Sequence, residues 1–181
     1  VPLTGERTLT PSIIPPGSAH VDGLYSANSS QHHKDPLVLA SGALSSLLVD
    51  FYTRSRGFSH IRSSAANSLP TVSPTSPLAL RVRYRTLRLN CLTNAYANLW
   101  AECWNESFVT DSPILERYDD RLIGPEWTAD TPLRRAEDRR NTQAEIDVMV
   151  AIMLGVPIED LCTIYRTQFA VLYDYDHGRG Q

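Results

Sequence analysis

Apolar residues recur along this chain mostly at helical spacing, in blocks separated by stretches rich in proline, serine and glycine. In the first long block, Leu37, Leu39, Ala40, Ala43, Leu44, Leu47, Leu48 and Phe51 lie on overlapping i, i+3, i+4 rows, which predicts one mostly buried helix over 36–55. Asp35 before Pro36 supplies a cap-plus-proline start and Gly57 a stop. A short second helix is predicted over 60–68, ending at Leu69-Pro70. Beyond it, Leu80, Tyr84, Leu87, Leu92, Tyr96, Leu99 and Trp100 predict a long helix over 77–104, with Arg81, Arg85 and Arg88 as a stripe on another face. Thr131-Pro132 opens a helix over 132–154 that is charged in its first half, apolar in its second and stopped by Gly155. A last helix over 157–173 carries Glu159 and Asp160 in its first turn, and the tail from Asp174 is expected to lack order.

The N-terminal pattern differs. Residues 7–14 are β-branched and short, and 20–25 form a second extended candidate beyond Pro15-Pro16-Gly17, which reads as two strands joined by a turn. The run 70–77 holds Pro70, Pro74 and Pro77 among serines and threonines and reads as a linker between a segment 1–75 and a helical domain 76–181. The expected fold is therefore mainly α (α+β): a small N-terminal β element with helices, then an all-helical domain of about three long helices. No internal repeat is found.

Charge changes this picture by its distribution. The net charge is −3, but residues 1–110 sum to +3 and residues 111–181 to −6, so any phosphate contact is expected in the N-terminal part. Of 17 basic residues only Lys34 is lysine. Arginine's planar fork suits phosphates and the guanine edge, although a GC-rich genome gives the same bias. Cys91, Cys103 and Cys162 match no metal or redox spacing and read as small buried hydrophobes in a reducing compartment. No secretory leader is readable from Val1, and the longest apolar stretch, 37–51, is broken by Ser41, Gly42, Ser45, Ser46 and Asp50. A cytoplasmic protein that crosses no membrane is expected.

Catalytic chemistry is sparse. The chain has no phosphate-binding glycine loop, no His-Glu-x-x-His, no Gly-x-Ser-x-Gly and no zinc-spaced cysteine and histidine set. No catalytic residue and no metal site is assigned. His32-His33 lack a third ligand, and Glu137, Asp138, Glu145 and Asp147 are read as ion-pairing along an arginine-rich helix, as in Arg134 with Asp138. The richest polar constellation is the helix-to-helix turn that holds Arg54, Arg56, His60, Arg62 and Ser63. Arginines and hydroxyls at such a turn fit a phosphate backbone and a guanine edge, and they equally fit a polar surface turn whose arginines complement a helix dipole. The stripe Arg81, Arg85 and Arg88 likewise fits either DNA or a packing partner.

Four segments in order carry a resemblance. Residues 6–20 (Glu6-Arg-Thr-Leu-Thr-Pro-Ser-Ile-Ile-Pro-Pro-Gly-Ser-Ala-His20), 39–51 (Leu39-Ala-Ser-Gly-Ala-Leu-Ser-Ser-Leu-Leu-Val-Asp-Phe51) and 57–70 resemble the target-recognition region of large adenine-specific DNA methyltransferases. These include fused type II restriction-modification enzymes and methyltransferases of phage-defence systems. Residues 87–100 and 144–169 resemble the helical region that follows it, so the likeness spans nearly the whole chain. The family's cofactor loop and its Asn-Pro-Pro-Tyr type motif are absent, and the resemblance places them N-terminal to Val1, making this chain a piece of a larger polypeptide. It implies a bacterial parent enzyme that flips an adenine out of duplex DNA and methylates it from S-adenosylmethionine. This piece would recognise the double-stranded DNA and pack against the catalytic domain without catalysing. The expected contacts are Arg54, Arg56, His60, Arg62 and Ser63, with Arg7 and Lys34 on the outer backbone. The other reading is an interaction module of a defence complex that touches no DNA.

Overall fold

The computed structural model describes residues 6–19, 24–28, 33–58, 61–111 and 123–178. Within them the architecture is eight α-helices with two short 3-10 turns and no strand. The helices are α1 (Asp35–Leu44), α2 (Leu47–Ser55), α3 (Ser63–Ala66), α4 (Ala79–Asn90), α5 (Ala97–Cys103), α6 (Ala136–Met153), α7 (Ile158–Gln168) and α8 (Ala170–Asp176).

The expected N-terminal β element is not found. Residues 6–13 form an extended strap whose polar backbone groups are met by helix side chains instead of a neighbouring strand. The Thr8 N–H donates to Asp50 Oδ2 at 2.7 Å and the Ile13 N–H to Asn90 Oδ1 at 3.1 Å, while the Ile13 carbonyl accepts from Tyr96 Oη at 2.9 Å. Pro11, inside the first strand candidate, removes a donor that a ladder would need. Of the second strand candidate, 20–23 lie outside the described residues, and Leu24 and Tyr25 are exposed without regular structure.

The single helix expected over 36–55 is two helices bent by 63°. The chain breaks at Ser45-Ser46, because each hydroxyl turns back onto a carbonyl of α1: Ser45 Oγ to Gly42 O and Ser46 Oγ to Ala43 O, at 2.8 and 2.7 Å. Ser46 then caps α2, accepting from Val49 N. Groups freed by the break are met from far away in the chain. Asp147 Oδ1 accepts from Leu47 N at 2.9 Å, and Ser45 O accepts from Arg7 Nη1 at 2.8 Å and from Gln143 Nε2 at 3.1 Å.

The helix expected over 77–104 also breaks, at Cys91, into α4, a 3-10 turn at Asn94–Tyr96 and α5. Tertiary donors take its freed carbonyls: Leu133 N binds Arg88 O, Trp127 Nε1 binds Cys91 O and Arg134 Nη2 binds Leu92 O. That leaves Arg134 on carbonyls, and it is Arg135 that faces Asp138, at 4.0 Å. The last helix divides at Phe169, and residues 174–176, expected to lack order, finish α8. Gly155 stops α6 at φ +71° and Gly57 follows α2 at φ +64°, as their positions predicted.

The run 70–77 joins two segments that share their cores. Ile13 and Val38 pack with Leu87, Cys91, Trp100, Cys103 and Phe108, and Leu47 and Leu48 pack with Ala151, Leu161, Phe169 and Leu172. Helix α1 crosses α4 closely at Gly42, where an added Cβ would fall against Thr86 Oγ1 and within 2.8 Å of Val82 Cγ1. No helix among the described residues is long and apolar enough to cross a membrane alone.

Candidate functional site

The arginines named from the sequence divide into two groups. Arg7 is drawn inward: its guanidinium straddles Asp147 at 2.7 and 3.3 Å and caps α1 through Ser45 O. Burial lowers its pKa, but Asp147 outweighs this and holds it above the ordinary value. Arg54 is a structural hub. It lies 4.0 Å from the centroid of the Phe169 ring, donates to Gln168 O at 2.7 Å and Glu6 O at 3.2 Å, and pairs with Asp50 at 3.4 Å. Lys34, half-buried, stands just before α1 without a side-chain capping bond, and its backbone N–H donates to the Glu102 carboxylate.

The stripe on α4 is also engaged inside the molecule. Arg85 is only 4% exposed and bridges Glu145 on α6 and Asp111, which Arg81 also approaches at 3.4 Å. Burial alone would lower the Arg85 pKa, yet Asp111 and Glu145 together raise it. Arg88 donates to Tyr84 Oη at 2.8 Å. The neighbouring Arg83 pairs with Asp35 at 2.9 Å.

At the surface stand Arg56, just past the end of α2, and Arg62 and Ser63, which open α3. All three are exposed, and neither arginine makes an ion pair among the described residues. His60 lies outside those residues.

Sequence reading missed a second feature. A cleft of about 560 Å³ opens between the strap (Glu6, Arg7, Ser12), the end of α1 (Ser41, Ser45), α4 (Asn90), α6 (Arg139, Arg140, Gln143, Asp147) and the last two helices (Cys162, Tyr165, Asp176). Its polar rim on α6 follows from spacing: Arg139, Gln143 and Asp147 are four residues apart and share a face. That signal was in the sequence, hidden by reading the helix's charges as local pairs. Within the cleft Arg140 pairs with Asp176 at 2.9 Å and covers the Tyr175 ring, while Tyr165 Oη donates to the other Asp176 oxygen at 2.7 Å. Arg139 Nη1 donates to two carbonyls, Leu89 O and Leu133 O, both at 3.0 Å.

Among the described residues no group of three or more histidines, cysteines or carboxylates is arranged to hold a metal ion. Cys91 and Cys103 are buried, and burial pushes both thiols up to about 12. No protein-family model, no curated protein and no solved structure matches this chain.

Proposed function

We propose that this chain is the DNA-target-recognition and helical segment of a larger bacterial, cytoplasmic adenine-specific DNA methyltransferase or restriction-modification polypeptide. It binds duplex DNA through the turn between α2 and α3 and performs no chemistry itself; methyl transfer from S-adenosylmethionine belongs to the catalytic domain of the same polypeptide. The reading starts from the ordered resemblance of four segments. The observation that carries it is the exposure of Arg56 just past α2 and of Arg62 and Ser63 at the start of α3, where neither guanidinium is claimed by a carboxylate among the described residues. Two unneutralised guanidiniums with a hydroxyl suit a phosphate backbone or a guanine edge. Arg7, Arg54 and Arg85 take no part in the contact, because their donors already hold the fold together.

A specific observation favours a second reading, the interaction module. Ile152, Ile158, Val171 and Tyr175 are 44–54% exposed on the last three helices and suit a protein partner such as the catalytic domain. The test measures binding of the chain to duplex DNA at low and moderate salt, for wild type, an R56A/R62A variant and R135A as an exposed-arginine control. Salt-sensitive binding that R56A/R62A loses and R135A keeps supports the DNA reading. No binding at low salt by the folded protein transfers the proposal to the interaction module.

A further inference from the structure

Arg139 is the odd cation of the cleft. The other two guanidiniums on its wall are neutralised, Arg7 by Asp147 at 2.7 Å and Arg140 by Asp176 at 2.9 Å. Arg139 is half-buried and has only carbonyls for partners among the described residues. Its pKa is pulled below the ordinary value by burial, and no carboxylate among the described residues pairs with it to offset this. A cation moved out of water without a countercharge carries an uncompensated desolvation cost, which a bound anion would offset.

The geometry of the side chain also favours an anion. Both bonds to the Leu89 and Leu133 carbonyls leave from Nη1, so one corner of the guanidinium is anchored between α4 and the chain leading into α6. The opposite edge, Nε–H and Nη2–H, has no acceptor among the described residues, and neither nitrogen is sealed from solvent. That edge is the side of the fork on which an oxyanion takes two parallel hydrogen bonds. Ser12 on the strap and Ser41 on α1 line the same cleft, and their hydroxyls make no hydrogen bond among the described residues.

We propose that the cleft is an oxyanion site in which Arg139 holds a phosphate group through its free edge, with the hydroxyls of Ser12 and Ser41 as further donors. A cleft of about 560 Å³ is far larger than a lone phosphate, so the natural ligand is a phosphate ester, supplied either by a free molecule or by a nucleic-acid backbone. The proposal stands apart from DNA recognition by the turn at Arg56, and it does not need that reading to hold.

The experiment observes the arginine side-chain Nε–H resonances by NMR while inorganic phosphate is added to the whole chain. The expected result is a saturable shift of the Arg139 resonance, assigned with R139K, while the exposed Arg135 moves only in proportion to salt. Affinity should fall about tenfold or more in R139Q, the effect of losing charge-assisted hydrogen bonds. Because Arg139 also caps α4, S12A/S41A serves as a second variant that leaves this anchor intact and should weaken binding. Duplex DNA added afterwards either displaces the phosphate, which supports a backbone phosphodiester as the ligand, or leaves it bound, which supports a free phosphate ester. An Arg139 resonance that does not saturate, or that tracks Arg135, overturns the proposal. All of these outcomes are read whether or not the R56A/R62A variant alters duplex binding.

Discussion

Two places in this molecule stop a helix at serines with arginines close by, and they are resolved in opposite ways. At Ser45-Ser46 the break is closed over: Arg7 and Gln143 take the Ser45 carbonyl, and Asp147 takes the Leu47 amide and the Arg7 guanidinium. Between α2 and α3, Arg56, Arg62 and Ser63 remain at the surface. No arginine lies near Ser45-Ser46 in sequence: Arg7 reaches the break from 38 residues earlier, and the carboxylate that holds it also takes the Leu47 amide from 100 residues further along the chain. An arginine at a helix end is thus drawn into the fold where a carboxylate meets it, as Asp147 meets Arg7 and Asp50 meets Arg54, and otherwise stays at the surface, as Arg56 and Arg62 do.

The sharpest way to break this comparison is to remove Asp147. D147A leaves the Arg7 charge without its partner and the first N–H of α2, at Leu47, without its acceptor, and it should cost about 3–5 kcal/mol in urea unfolding. A cost near that of an exposed ion pair would show that the break is not held from outside. Next in size is the close crossing of α1 and α4 at Gly42. Alanine at Gly42 would gain roughly 1 kcal/mol of helix propensity, but Thr86 is fixed by its bond to Val82 O and cannot swing away, so G42A should lose about 1–2 kcal/mol net. Thermal unfolding of G42A reads this out, and a stabilised variant would mean that the two helices slide apart freely.

The exposed member of the pair should behave in reverse. R56A/R62A should leave the unfolding midpoint where it is and reduce the slope of log K against log salt for duplex binding by about 2, near 0.9 per phosphate contact. A lowered midpoint with an unchanged slope would turn these arginines into structural ties. The smallest effect is a count of thiols. Burial pushes Cys91 and Cys103 up to about 12, whereas Cys162 is half-buried on the cleft wall, so a thiol reagent at pH 8 should modify one cysteine of the native protein quickly and the other two only on unfolding. Three fast thiols would mean that the core opens readily.

The helical positions were legible because the 3.6-residue period and the glycines at 57 and 155 are local signals. The breaks were not. Ser45-Ser46 and Cys91 sit inside rows of continuous helical spacing, and each is stabilised by donors or acceptors that only tertiary packing delivers: Asp147 and Arg7 at the first, Trp127 and Arg134 at the second. The strap failed as a strand for a related reason. Its β-branched pattern is real, but Pro11 breaks a ladder and side-chain partners on α2 and α4 offered its backbone another way to be satisfied. At the candidate site, the sequence pointed to Arg56, Arg62 and Ser63, which are exposed. It named Arg7 and Arg54 in the same role, and nothing local distinguishes a guanidinium that Asp147 or Phe169 will claim.

The strap also sets an order of events in folding. Its ties reach Ser45, Asp50, Asn90 and Asp147, closing loops of 38 to 140 residues, and none of those partners is in position until α2, α4 and α6 have docked. Contacts of such span carry a late loop-closure penalty and slow the final approach to the native state. The first described residues of the chain are therefore the last to find their place, and in native-state hydrogen exchange the Thr8 and Ile13 amides should report that closing step.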